Sequence, residues 1–114
     1  MRRLPLTTLL AGLIAATTVT TAEAGSSSGG YVTQIAPNNG GSLVFFTSVP
    51  AVAPRPACAT SDRWSINTTT PQGQTMAAGI YSAMAAGFKI NVYGTGSCPE
   101  IADTESVAYY TIMK

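Results

Sequence analysis

Read from residue 31 onward, the chain alternates between short apolar stretches and clusters of Asn, Gly, Pro and Thr, a punctuation that predicts many short elements. Tyr31, Thr33 and Ile35 alternate with Val32, Gln34 and Ala36, the period-two signature of a strand. Pro37-Asn38-Asn39-Gly40-Gly41 follows as a turn, because Asn and Gly tolerate positive φ. Ser42 to Val49 is rich in β-branched and aromatic residues and predicts a second strand, antiparallel to the first. Pro50 to Ala57 carries three prolines, each without a ladder donor, and predicts an exposed extended loop. Cys58 to Asn67 predicts a third strand containing the single Trp.

One segment changes period. From Gln74 to Ala86, Met76, Ile80 and Met84 recur every fourth residue, which predicts a helix with those three on its core face. Thr69 or Thr70 is placed to cap it, Pro71 suits its first turn, and Gly87 suits a left-handed C-terminal position. Phe88 to Tyr93 returns to alternation, Phe88, Ile90 and Val92 inward against Lys89, Asn91 and Tyr93 outward. Ser106 to Met113 predicts the last strand. The order β-β-β-α-β-β fits a mainly β chain with one helix, a small partly closed barrel of the oligonucleotide/oligosaccharide-binding (OB) kind. A two-layer α/β sandwich is the alternative. Trp64, Met76, Ile80, Met84, Phe88, Ile90 and Val92 form the expected core.

The amino-terminal region reads differently. Arg2 and Arg3 precede an apolar run from Leu4 to Ala16, and Ala22-Glu23-Ala24 is a small-x-small cleavage box. A cleavable secretory signal over 1–24 is expected, with cleavage before Gly25. The apolar run is shorter than the ~20 residues of a membrane span. Gly25 to Gly30 (GSSSGG) is expected to be a flexible leader and 31–114 a single domain, secreted or periplasmic. Cys58 and Cys98 are the only cysteines, and in an oxidising compartment they are expected to pair.

Past the signal, Arg55, Arg63, Lys89 and Lys114 balance Asp62, Glu100, Asp103 and Glu105. A neutral, charge-poor domain is a poor partner for a phosphate backbone or an anionic membrane. Histidine is absent, so no Cys–His or Ser–His pair exists, and two cysteines are too few for a structural zinc. No metal and no cofactor are expected. Glu100, Asp103 and Glu105 admit a carboxylate-based hydrolase, although a solvated turn explains them more simply. Gly94-Thr95-Gly96 is not a phosphate loop, because no helix follows it. Asn67-Thr68-Thr69 matches a glycosylation sequon and is read as incidental. Tyr31, Trp64, Tyr81, Tyr93, Tyr109 and Tyr110 are many aromatics for so few charges. Tyrosine rings stack on sugar faces and amides orient them, so Tyr93, Tyr31 and Asn91 are candidate ligand contacts.

Cys58 and Trp64, the Ala-rich helix ending in Ala85-Ala86-Gly87, then Lys89-Ile90-Asn91-Val92-Tyr93-Gly94 and Cys98 resemble a group of small secreted bacterial proteins of undetermined role. More distantly, the pattern is similar to the receptor-binding subunits of pentameric toxins of the subtilase-cytotoxin and typhoid-toxin kind. That resemblance implies an OB fold, assembly as a homo-oligomeric ring of five and binding of cell-surface glycans. The expected function is a non-enzymatic binding module for a glycan or cell-surface ligand. The alternative is a structural or protein-interaction domain of the envelope.

Overall fold

The computed structural model describes residues 11–15 and 23–114, so most of the expected signal segment lies outside the described residues. Five strands and one helix follow in the order β1 (Ser26–Pro37), β2 (Ser42–Thr47), β3 (Trp64–Asn67), α1 (Pro71–Ala86), β4 (Lys89–Gly94) and β5 (Glu105–Met113). The strands close on themselves as β1-β2-β3-β5-β4, and β1 completes the ring by pairing with β4. All pairings are antiparallel except β3 with β5. This is the OB-like arrangement, and its closure excludes the two-layer sandwich.

Gly25 to Gly30 is not a flexible leader. Ser26 to Gly30 form the first half of β1 and pair with β4 (Ser26 with Tyr93, Ser27 with Val92, Gly30 with Ile90). The second half of β1 pairs with β2, from Val32 opposite Thr47 to Pro37 opposite Leu43. One strand can serve two neighbours because it bends at an irregularity between Ser27 and Gly30, where Gly29 has φ +73°. Ser27 is buried and donates its hydroxyl to the Val49 carbonyl at 2.7 Å. Glycine and serine here meet steric and hydrogen-bonding demands of a bent strand; composition alone had suggested a linker.

The third strand is shorter than expected and starts at Trp64. Cys58 lies in the long loop before it, where Pro50, Pro54 and Pro56 interrupt any ladder. From β3 the chain enters α1 through an Asx turn. The Asn67 side-chain oxygen accepts from the Thr69 N–H at 2.9 Å and from the Thr69 hydroxyl at 2.6 Å. Thr70 caps the helix through Gly73 N–H at 3.1 Å, with Pro71 at the start. Gly87, at φ 67°, ends it: its N–H reaches the Met84 carbonyl, and the next N–H, of Phe88, reaches Ala83. Thr70→Ala should lower stability by about 1 kcal/mol in urea titration, whereas loss of under a few tenths would remove Thr70 as the cap.

The core fills the ring with Leu43, Phe45, Trp64, Ile66, Ile90 and Val92, and the helix plugs it with Ala77, Ile80 and Ala83. Trp64, Ile80, Ile90 and Val92 are buried as expected, while Met76 and Phe88 are only half-buried. Met84 is a correction: it is 43 % exposed in the last helical turn. Small residues decide the packing. A Cβ at Gly73 would collide with the Asn67 carbonyl, and one at Gly79 with the Tyr110 hydroxyl. The backbone therefore lies close to the barrel, where Ala77 and Ala83 suffice beside Ile80, and Met84 projects past the plug.

Candidate functional site

The three candidate ligand contacts lie on the outer side of the β1–β4–β5 sheet. Outward alternation along β4 presents Lys89, Asn91 and Tyr93, and the register places Met113, Thr111 and Tyr109 beside them on β5. Tyr31 stands beside Lys89 across β1. Tyr93 and Tyr109 stack with ring centroids 4.5 Å apart and planes 18° from parallel. At the other end, the Lys89 ammonium lies 5.7 Å from the Tyr31 ring centroid. Tyr31, Phe88, Lys89 and Met113 line a cleft of about 480 Å³ there. Lys89 and Tyr93, at the two aromatic ends, are four positions apart along β4, about 13 Å of strand.

Asn91 has a different first duty. Its side-chain oxygen accepts from the Gly29 N–H at 2.9 Å, and its amide nitrogen lies 3.4 Å from the Met113 sulfur. It clamps the bend of β1 and leaves one amide hydrogen for a ligand. Tyr109 is the aromatic that sequence reasoning did not select for the site. The signal was available: of the adjacent Tyr109 and Tyr110, alternation sends one outward and one inward. Tyr110 turns in, donates its hydroxyl to the Met76 carbonyl at 2.6 Å, and burial pushes its phenol above the ordinary value.

The acidic residues of this segment each have separate hydrogen-bond partners. Glu100 accepts from the hydroxyls of Ser65 (2.9 Å) and Ser106 (3.1 Å). Arg63 donates to the Asp103 carboxylate at 2.9 Å, and that bond holds its carboxyl below the ordinary value. Glu105 is fully buried. It accepts from the Gly96 N–H at 3.0 Å and from the Gly25 N–H through both oxygens, at 3.2 and 3.0 Å. A Cβ at Gly94 would strike this carboxylate. Gly94-Thr95-Gly96 thus meets a carboxyl of the protein itself, through the Gly96 N–H and the space that Gly94 leaves. No group of three or more His, Cys, Asp and Glu side chains able to hold a metal occurs among the described residues.

A second surface lies where the ring is thinnest. β3 pairs with β5 only at Trp64–Glu105 and Ser65–Ser106. Beyond Ser106, that edge of β5 has no strand partner among the described residues. An apolar cleft of about 400 Å³ opens between it and the helix, lined by Met76, Ala108, Tyr109, Tyr110 and Ile112. Ile112 is 42 % exposed, so apolar surface continues out of the cleft.

Cys58 and Cys98 are bonded, with Cα atoms 6.2 Å apart. The bond joins the β2–β3 loop to the β4–β5 loop. The Ser61 N–H to Asp103 carbonyl bond (3.0 Å) and the Arg63–Asp103 pair join the same two loops. No helix among the described residues is long and apolar enough to cross a membrane. Comparison with known protein families, curated proteins and solved structures finds no match to this chain.

Proposed function

We propose that this chain is an exported, non-enzymatic binding module whose outer β1–β4–β5 face takes a neutral or weakly charged glycan. The observation that supports it is the stacked Tyr93–Tyr109 pair, with Tyr109 57 % exposed and the Tyr31–Lys89 cleft at the far end of the same face. Aromatic plates bind the C–H faces of sugars, and the ammonium and amide groups between them supply donors to hydroxyls. The disulfide is compatible with an extracytoplasmic location, secreted or periplasmic.

A glycan array probed with the protein tests the reading. A specific glycan signal is expected, and Tyr109→Ala should weaken it by about tenfold, the worth of one stacking contact. Because Tyr109 is 57 % exposed and its ring meets Tyr93 at the surface, that variant should still fold, with a melting temperature lowered by only a few degrees. Absence of glycan binding, or Tyr109→Ala binding as wild type, defeats the proposal.

The unpaired edge of β5 favours a second reading, a protein-interaction domain that adds a strand at that edge, with a second copy of this chain as the partner. Mass in solution separates the two. A dimer with no glycan signal selects the second, and a monomer that binds glycan selects the first.

A further inference from the structure

Glu105 occupies a closed pocket with one unusual wall. Its side chain is fully buried, and glycine backbone surrounds it: Gly25 and Gly96 donate N–H groups, and Gly94 leaves room by having no side chain. Burying a carboxylate among neutral donors is costly; a cation on the same oxygens offsets that cost. Arg55, whose side chain lies against Gly25, directs its terminal nitrogens away. One donates to the Ser61 carbonyl at 2.6 Å and the other faces Asp62 at 3.3 Å. Its buried Nε has no partner, and its stem packs over Gly25.

Exposure changes abruptly at this point in the chain. Glu23 and Ala24 are exposed, while Gly25 is buried and enters the sheet. Its carbonyl accepts from the Gly94 N–H at 2.9 Å while its nitrogen faces Glu105. The boundary coincides with the cleavage position read from Ala22-Glu23-Ala24. In the uncut chain a single N–H is shared between both carboxylate oxygens.

We infer that Glu105 is the internal receptor for the α-ammonium group of Gly25, created when the bond between Ala24 and Gly25 is cut. A signal-removing endopeptidase hydrolyses that bond. Water gives its hydroxyl to the Ala24 carbonyl carbon and its proton to the Gly25 nitrogen. The new Ala24 acid then ionises, and the amine takes up the proton. Three N–H donors replace one at the same position, so each carboxylate oxygen gains its own donor and a full positive charge. Processing thereby converts a neutral contact into a buried ion pair closing the seam of β1, β4 and β5. Only the ammonium form makes this ion pair, so the stability it adds is lost where the amine deprotonates.

The test uses protein exported and processed by its producing cells. Its amino terminus should be Gly25. An amine-acylating reagent at pH 7 should modify the native Gly25 amine at least about tenfold more slowly than in the denatured, reduced chain. A form that retains Ala24 ahead of Gly25 should melt about 5–10 °C lower at pH 7, and the difference should close at strongly alkaline pH. Glu105→Gln should abolish the protection; if that variant does not fold, acylation and the Ala24-retaining form decide the matter on the native carboxylate. A different amino terminus, unprotected Gly25 acylation, or equal melting of the two forms overturns the inference.

Discussion

Reducing the Cys58–Cys98 bond, or replacing both cysteines with serine, lowers the melting temperature by roughly 20 °C. The sequence separation is 40, and closing a loop of that size removes enough denatured-chain entropy to stabilise by about 4 kcal/mol. A domain of this size has only about 5–10 kcal/mol in total. The position adds to the effect. The bond ties together the two long loops, and the hydrogen bonds between them, such as Ser61 to Asp103, are individually worth about 1 kcal/mol. Without the bond, these contacts must hold a proline-rich loop that forms no ladder. Differential scanning calorimetry with and without reductant reads the shift directly. A change below about 3 °C would mean that the ring and its core are sufficient without the bond.

Glu105→Ala costs about 3–5 kcal/mol in denaturant titration, among the largest effects expected of any single substitution here. Two N–H groups, of Gly25 and Gly96, lose their acceptor in a place water does not reach. Each orphaned donor costs about 1–3 kcal/mol, and the space left behind adds a cavity term. Gly94→Ala should act in the same direction from the other side, because its methyl group would displace the carboxylate. The acidic residues of the same segment differ sharply. Asp103 lies at the surface, and its loss should scarcely move the curve. If Glu105→Ala were as mild as Asp103→Ala, the pocket would have no part in holding the ring together.

Several elements were legible because their signals are local. The helix declares itself through Thr70, Pro71 and Gly87, residues that satisfy or terminate a helix wherever it packs. The β1–β2 hairpin is written in Asn38 to Gly41, and β4 in the alternation of Ile90 and Val92 with Lys89, Asn91 and Tyr93. The order of elements then leaves few ways to close a mainly β chain of this length. Less could be read where a residue's role depends on a distant partner. GSSSGG has the composition of a linker and becomes a strand because Glu105, Val49 and β4 supply its hydrogen-bond partners. Met84 has the spacing of a core residue and projects outward because the small residues of α1 bring its backbone close to the barrel.

The sequence by itself determined the order of the elements, the helix with its caps, the β1–β2 turn and the pairing of the two cysteines, since these depend on neighbours along the chain or on there being one candidate pair. Tertiary structure alone decided which polar residues are buried. Glu105 and Asp103 stand two positions apart and look equivalent in sequence. Folding encloses one among glycine backbone and leaves the other at the surface, because only the ring's closure brings Gly25 and Gly94 to the side chain of Glu105.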